Sequence, residues 1–225
     1  MPTVLLTGAN RGLGLEFARQ YAAAGWRVVA CCREPARADE LRALPVEVKP
    51  LDVRDLAGIA LLADDLKGQP IDLLLANAGV YGPAKMFLGQ LDYAAWAEVL
   101  LVNTLAPVRL AECFADHVAA SGRKLIACVS SRMGSIGDNA TGRHYLYRSS
   151  KAALNAAARS LSIDLKERGV TVVALHPGWV KTDMGGQDAD LEIPDAVRSI
   201  IATLDKAGPA QSGKFLDHDG TELPW

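Results

Sequence analysis

The segment of the sequence that is most informative about the fold is Thr7-Gly8-Ala9-Asn10-Arg11-Gly12-Leu13-Gly14. It follows the apolar run Val4-Leu5-Leu6 and leads into a segment, residues 15–22, with the apolar spacing of an amphipathic helix. The first glycine suits a tight turn, and the other two allow a phosphate or a neighbouring strand to approach the backbone. Because the start of a helix attracts anions, the turn is a candidate phosphate site, although such glycines also serve ordinary loops.

The composition narrows the possible classes of protein. With 225 residues and a formal net charge of −2, we expect one domain, residues 1–225, without a nucleic-acid or membrane partner. Met1-Pro2-Thr3 leads directly into the first strand, which leaves no room for a signal peptide. No apolar run approaches the ~18 residues of a membrane span. The four cysteines lack metal-ligand spacing and are interpreted as reduced, buried thiols: Cys31, Cys32, Cys113 and Cys128. We therefore predict a cytoplasmic protein with no metal.

Strands and helices alternate along the whole chain. Seven mostly apolar runs predict β-strands, at residues 4–6, 26–32, 46–49, 71–75, 124–129, 170–175 and 214–216. Helices are predicted between them, at about residues 15–22, 36–43, 56–67, 93–120, 146–168 and 194–206, with a bend near Pro107. This order predicts an α/β fold, a single-domain Rossmann fold with a doubly wound seven-stranded parallel sheet flanked by helices on both faces.

Tyr147 and Lys151 are the strongest candidates for catalytic side chains. They are four residues apart in a predicted helix, so they share one face of it. A nearby ammonium favours the phenolate and lowers the pKa of a tyrosine, which makes it usable in acid–base catalysis. The same spacing is common on solvated helix faces. Ser131 favours the catalytic interpretation, because it ends the fifth strand at the edge where parallel sheets bind ligands.

The ordered set of motifs resembles the short-chain dehydrogenase/reductase family over essentially the whole chain. The motifs are Thr7-Gly8-x-x-x-Gly12-x-Gly14, Asn77-Ala78-Gly79, Ser131, Tyr147-x-x-x-Lys151 and Pro177-Gly178. Within the family, residues 145–151, 176–186 and 219–225 resemble the branch of sniffer-type carbonyl reductases and C-factor-like proteins. No single motif is decisive, but their order and spacing are specific.

The resemblance implies a role for each matching residue. Tyr147 would protonate a carbonyl oxygen, Lys151 would lower the pKa of that tyrosine and hold the nicotinamide ribose, and Ser131 would polarise the carbonyl. Asn103 would hold a water that leads protons to the lysine, or would only cap a helix irregularity. The implied cofactor-binding residues are Gly8, Asn10, Arg11, Gly12, Leu13, Gly14, Arg33, Asp52, Val53, Asn77, Ala78, Gly79, Tyr147, Lys151, Pro177, Gly178, Val180 and Thr182. Asp52 and Val53 match the pair at the adenine, and Thr182 matches the residue at the carboxamide.

The residues at the end of the second predicted strand indicate whether the cofactor is NADPH or NADH. An acidic residue there would accept hydrogen bonds from the ribose 2′-OH and repel a 2′-phosphate. This chain has Cys32 there, and Arg33, which follows it, offers a fork of donors to a phosphate, with Arg11 as a second donor. We predict NADPH/NADP+, with NADH less favoured, unless both arginines are ordinary surface residues.

Several residues depart from the family pattern or compete for roles. Ser131 and Tyr147 are 16 residues apart, more than is usual in the family, which predicts a longer intervening loop. Ser130 and Ser135 are alternative serines. Tyr145 is interpreted as a loop or pocket residue, and His144 and His176 as structural. Four apolar residues are expected near the substrate: Tyr81, Met86, Trp179 and Met184.

The predicted function is reduction of a small carbonyl compound by hydride from NADPH. Two alternatives remain: an NAD-dependent alcohol dehydrogenase, and a C-factor-like signalling protein that binds the cofactor without turnover. The intact set of Asn103, Ser131, Tyr147 and Lys151 argues against lost catalysis. The resemblance also implies a homodimer, or a tetramer, built through the helices at residues 93–120 and 146–168.

Overall fold

The computed structural model of the chain describes residues 1–83 and 87–225. Its strands are β1 Thr3–Thr7, β2 Arg27–Cys32, β3 Glu47–Pro50, β4 Leu73–Ala76, β5 Leu125–Val129, β6 Thr171–Leu175 and β7 Phe215–Leu216. Its α-helices are α1 Gly12–Ala23, α2 Asp39–Arg42, α3 Leu56–Asp65, α4 Tyr93–Leu100, α5 Ala106–Ala119, α6 Tyr145–Asp164 and α7 Ile193–Lys206. Strands and helices alternate as the sequence predicts.

The sheet confirms the predicted fold. Its order is β3-β2-β1-β4-β5-β6-β7, and every neighbouring pair is parallel. Strand order reverses between β1 and β4, which pair through Val4 and Leu73 at their starts. Open parallel sheets bind ligands at the carboxyl ends of the strands beside such a reversal. The glycine turn after β1 and the Asn77-Ala78-Gly79 segment after β4 lie at that place.

Two apolar layers cover the sheet, because alternate strand residues point to opposite faces. In β1, Leu5 belongs to the layer that packs against α3, α5 and α6, whereas Val4 and Leu6 belong to the layer under α1 and α7. All three side chains are fully buried. Burial on both faces explains why the strands are apolar throughout.

The fourth predicted helix is interrupted rather than simply bent. A π-helical segment, Leu101–Leu105, separates α4 from α5, and the N–H of Ala106 donates to the carbonyl of Leu101, five residues back. Pro107 follows at the start of α5 and has no N–H to continue a regular ladder. Among the described residues, the combined helix Tyr93–Ala119 is long and apolar enough to span a membrane, but 44% of its apolar window is buried inside the protein. The apolar composition of this helix is explained by its packing in the protein core.

Two other predicted helices are shorter than expected. The segment predicted at residues 36–43 forms a 3₁₀ turn, Pro35–Arg37, followed by the single-turn α2. The helix predicted to end at Arg168 leaves α-helical geometry after Asp164 and closes with a 3₁₀ turn before Gly169, whose φ is +71°. Neither difference moves a candidate site residue away from the ligand-binding edge.

Candidate active site

The glycine turn combines a left-handed position with a close approach. Gly8 has φ +68°, a conformation that favours glycine. A Cβ on Gly14 would lie 2.1 Å from the carbonyl oxygen of Gly8, so only glycine fits there. The first turn of α1 has no side-chain cap from Arg11 and no acidic residue. Its N–H groups therefore remain available to an anion, which fits the predicted phosphate site.

Asn77 and Thr7 connect the ends of β1 and β4. The side-chain amide of Asn77 donates to the carbonyl of Thr7 over 2.9 Å. The hydroxyl of Thr7 accepts from the backbone N–H groups of Asn77 and Ala78, each over 3.1 Å. These bonds hold the ends of β1 and β4 together at the ligand-binding edge of the sheet, where the crevice lies. Asn77 supports the glycine turn through its side chain.

Tyr147 is buried in the first turns of α6, with 8% of its surface exposed. Burial raises the pKa of Tyr147 to about 12, although the nearby hydroxyl of Ser131 opposes this rise. Burial is the main cause of this shift, and the predicted lowering by Lys151 is not seen in this structure. The phenol is therefore protonated at neutral pH, with the Ser131 hydroxyl nearby.

Lys151 is also buried, one helical turn further along α6. Its ammonium donates to the carbonyl oxygen of Val129 over 2.8 Å and lies 5.7 Å from the centre of the Tyr147 ring. Burial lowers the pKa of Lys151 to about 8, against a small opposing effect of Cys128. The lysine thus carries its charge at neutral pH but holds its proton less firmly than a surface lysine.

Asn103 lies in the π-helical segment and is fully buried. Its Oδ1 accepts from the N–H of Val80 over 2.9 Å, and its Nδ2 donates to the carbonyl of Val80 and to Ser150 Oγ over 2.8 and 3.0 Å. A Cβ on Gly79 would lie 3.4 Å from Asn103 Oδ1 and 3.6 Å from Lys151 Nζ. Asn103 therefore lies at a helix irregularity, with its amide bonded to Val80 and Ser150, and its part in a proton path stays a prediction.

The two serines at the end of β5 point in different directions. Ser130 Oγ donates to Asn155 Oδ1 over 2.6 Å, on the buried side of α6. Ser131 Oγ accepts from the N–H of Met133 over 3.2 Å and reaches Tyr147. Ser135 Oγ donates to the backbone carbonyl of Trp225 over 3.1 Å. Of the three candidates, Ser131 is the serine that the fold brings to the tyrosine.

At the predicted adenosine end, Cys32 is buried and Arg33 is exposed. Asp52 binds Arg54, which is the main cause of its lowered pKa, and the charge of Arg33 lowers that pKa further. Arg33 therefore acts on the same carboxylate that the resemblance places at the adenine. Val53, next in sequence, is buried under the sheet edge.

Arg11 reaches across the mouth of the crevice. Its guanidinium binds Asp183 over 2.6 Å, and both side chains are mostly exposed. An exposed pair of this kind is worth only about 0–1 kcal/mol, so a phosphate could compete for Arg11. Asp183 belongs to the loop after β6, which starts at Pro177-Gly178.

The loop after β6 holds the remaining predicted cofactor residues. Val180 is buried, and its carbonyl accepts from the hydroxyl of Thr182 over 3.3 Å. Thr182 Oγ1 also accepts from the N–H of Gly185 over 3.0 Å. A Cβ on Gly12 would lie 3.8 Å from the Thr182 methyl group, so this loop closes over the glycine turn.

Sequence reasoning missed two arrangements in the long loop before α6. The backbone N–H groups of Ile136 and Gly137 both donate to the Trp225 carbonyl over 3.0 Å, so the loop is tied to the end of the sheet. Tyr81 stacks on Tyr147, with ring centres 4.5 Å apart, and bonds His144. Among the other expected pocket residues, Trp179 and Met184 are half exposed, and Met86 lies outside the described residues.

Of the remaining histidines and cysteines, Cys128 is near enough to Lys151 to affect its pKa. Burial lowers the pKa of His176 to about 4, and its Nδ1 has no partner among the described residues. Its position directly after β6 suits the structural role predicted for it. Three of the four free cysteines are buried, and Cys113 is partly exposed.

Comparison with known proteins extends the resemblance to the whole chain. A family model described as short chain dehydrogenase matches residues 2–192. The C-signal protein of Myxococcus xanthus is 47% identical over 156 residues, which make up 69% of this chain and 93% of that protein. The carbonyl reductase Sniffer of D. melanogaster superposes with a TM-score of 0.94 at 35% identity, covering 100% of both chains. The NADPH-bound carbonyl reductase from chicken fatty liver superposes with a TM-score of 0.92 at 35% identity, covering 100% of this chain and 99% of that one.

Proposed function

This chain belongs to the short chain dehydrogenase family, and from that premise we propose that it reduces a small carbonyl compound with NADPH, with Tyr147 as the proton donor. The observation that carries the proposal is the convergence of three side chains. A buried, protonated phenol has the Ser131 hydroxyl near enough to lower its pKa, and the ammonium of Lys151 lies beside its ring. General acid catalysis needs a donor that is held in place and protonated at the working pH.

Ser131 and Tyr147 would share the substrate oxygen. The Ser131 hydroxyl lies near the phenol, so a carbonyl oxygen that enters between them would receive two hydrogen bonds. As negative charge develops on that oxygen, both bonds strengthen, and the Tyr147 proton transfers to it. Lys151 stabilises the phenolate that remains, because its positive charge lies 5.7 Å from the ring centre.

The residues around the glycine turn fit a dinucleotide. The uncapped N–H groups at the start of α1 suit its pyrophosphate, and the absence of a Cβ at Gly79 leaves room beside Lys151 for a ribose. Asn77 and Thr182 hold the two loops that face each other across the crevice. The nicotinamide, when bound, supplies the hydride.

We expect Arg33→Ala to weaken NADPH binding by about ten- to a hundredfold while leaving NADH binding nearly unchanged. The reason is that Arg33 would donate charge-assisted hydrogen bonds to the 2′-phosphate, which NADH lacks. Fluorescence titration with both nucleotides checks this. Arg37→Ala, which removes an exposed arginine bound to Glu34, is the matched control. Equal affinity of the unmodified protein for NADPH and NADH would contradict the assignment of Arg33.

We also propose a homodimer through the long helices, and we expect light scattering to give twice the chain mass. Leu105, after α4, and Ile163, in α6, leave 52% and 59% of their surfaces exposed, and a partner subunit would cover such side chains. Leu105→Glu should then shift the mass toward the monomer. Leu61→Glu, in α3, changes a leucine that is 69% exposed and should not shift the mass. A monomeric mass for the unmodified protein would refute the dimer.

The C-signal relative favours a second candidate, a cofactor-binding protein whose role is signalling. The two candidates differ in turnover. A reductase oxidises NADPH only when a carbonyl compound is present and forms one alcohol for each NADPH consumed. A pure binding protein binds the nucleotide without that reaction, so a spectrophotometric assay over aldehydes, ketones and diones distinguishes them.

A further inference from the structure

Tyr81 makes three contacts that converge on the catalytic helix. Its ring stacks on the ring of Tyr147, with centres 4.5 Å apart and planes inclined by 27°. Its hydroxyl lies 2.9 Å from His144 Nδ1 and 3.9 Å from the sulfur of Met133. Tyr81 follows β4, Met133 follows β5, and His144 and Tyr147 lie at the start of α6, so this ring joins two loops at the site.

The backbone that presents His144 is unusual. Gly142, Arg143 and His144 have φ values of +62°, +56° and +51°, three consecutive left-handed residues directly before α6. Residues other than glycine adopt this conformation at a cost, and sites of strain cluster where function requires a particular geometry. Arg148 secures this turn from α6, since its guanidinium donates to the carbonyl of Gly142 over 3.2 Å and to Thr141 Oγ1 over 2.9 Å.

We propose that Tyr81 and His144 form a positioning pair for Tyr147, in which His144 holds Tyr81 and the Tyr81 ring fixes the phenol of Tyr147 toward the substrate. The inference rests on the proposed reductase function for its catalytic consequence. The left-handed turn is required because it brings the imidazole to the Tyr81 hydroxyl. The stacked ring also keeps water from one part of the phenol, and Tyr81 contributes to the raised pKa of Tyr147.

If the proposal is correct, the effects of substitutions at Tyr81 and His144 on kcat are not additive. Removing the Tyr81 hydroxyl (Tyr81→Phe) and removing the imidazole (His144→Gly) break the same hydrogen bond. Each change should lower kcat by about three- to tenfold and leave the KM for NADPH unchanged, and the double variant should lose no more than either single one. Glycine is chosen at position 144 because alanine would add backbone strain at φ +51°.

Two further variants separate positioning from simple stability. His144→Asn keeps an acceptor at the same distance from the backbone and tolerates the left-handed conformation, so it should restore most of kcat. Tyr93→Phe makes the same chemical change at a tyrosine that is 73% exposed, and it should have no effect. Additive losses in the double variant, or an unchanged kcat in His144→Gly, would overturn the proposal.

A readout without turnover keeps this inference separate from the reductase assignment. In protein with ¹³C-labelled tyrosine rings, the Tyr147 signal is the one that disappears in Tyr147→Phe. Loss of the stacked ring's shielding should shift that signal in His144→Gly but not in His144→Asn. If no carbonyl compound is reduced, the proposed function fails, while an unshifted Tyr147 signal in His144→Gly would refute the positioning pair.

Discussion

The Tyr147→Phe variant is expected to lose at least ~10²-fold of kcat and to bind NADPH about as tightly as the unmodified protein. The substitution keeps the aromatic ring, so its stacking against Tyr81 and its burial are retained. It removes the one proton that the substrate oxygen would receive. Steady-state turnover and nucleotide titration, measured on the same preparation, check both halves of this prediction.

The control for Tyr147→Phe is again Tyr93→Phe, since it deletes a hydroxyl from an exposed tyrosine. Ser131→Ala should lower kcat as well, because the carbonyl oxygen would lose one of its two donors. Near-native turnover in Tyr147→Phe would show that protonation comes from another group, and the assignment of the proton donor would be wrong.

The Lys151→Met variant is expected to lose both turnover and cofactor affinity, with kcat reduced by ~10²-fold or more. Methionine fills similar space in the buried site but carries no charge to stabilise the Tyr147 phenolate and no donor for a ribose. Lys166→Met, at an exposed position after α6, is the matched control. Full turnover in Lys151→Met would contradict the role of the ammonium.

The same variant tests the unusual protonation of Lys151. Because burial lowers its pKa from 10.5 to about 8, the unfolded chain binds a proton between these pH values that the folded chain has released. The free energy of unfolding of the native protein should therefore rise relative to that of Lys151→Met between pH 8 and pH 10.5. The rise should be about 3 kcal/mol at most. Denaturant unfolding without nucleotide across this pH range measures the difference, and a flat difference would refute the lowered pKa.

The fold could be predicted because its determinants are local. Alternating apolar runs and helical segments specify a parallel sheet, and the glycine turn needs only Gly8 and Gly14 at their spacing. The placement of Tyr147 above Lys151 follows from helical periodicity, so it too was available from the sequence.

The features of the site that the sequence did not predict depend on contacts between residues that are distant in the sequence. Tyr81 and His144 are separated by 63 residues, and only the left-handed turn at residues 142–144 brings them together. The π-helical segment holds Asn103, whose amide bonds Val80 and Ser150, and no periodicity reveals these contacts. The raised pKa of Tyr147 likewise reflects burial in the folded protein, which the helical spacing of Tyr147 and Lys151 does not reveal.

The most direct test of the account is NADPH oxidation by the purified protein over a panel of aldehydes, ketones and diones, run beside Tyr147→Phe. The account predicts carbonyl-dependent oxidation with one alcohol formed per NADPH, and its loss by at least ~10²-fold in the variant. Tight NADPH binding without reduction of any carbonyl compound, or equal rates for the two proteins, would contradict it.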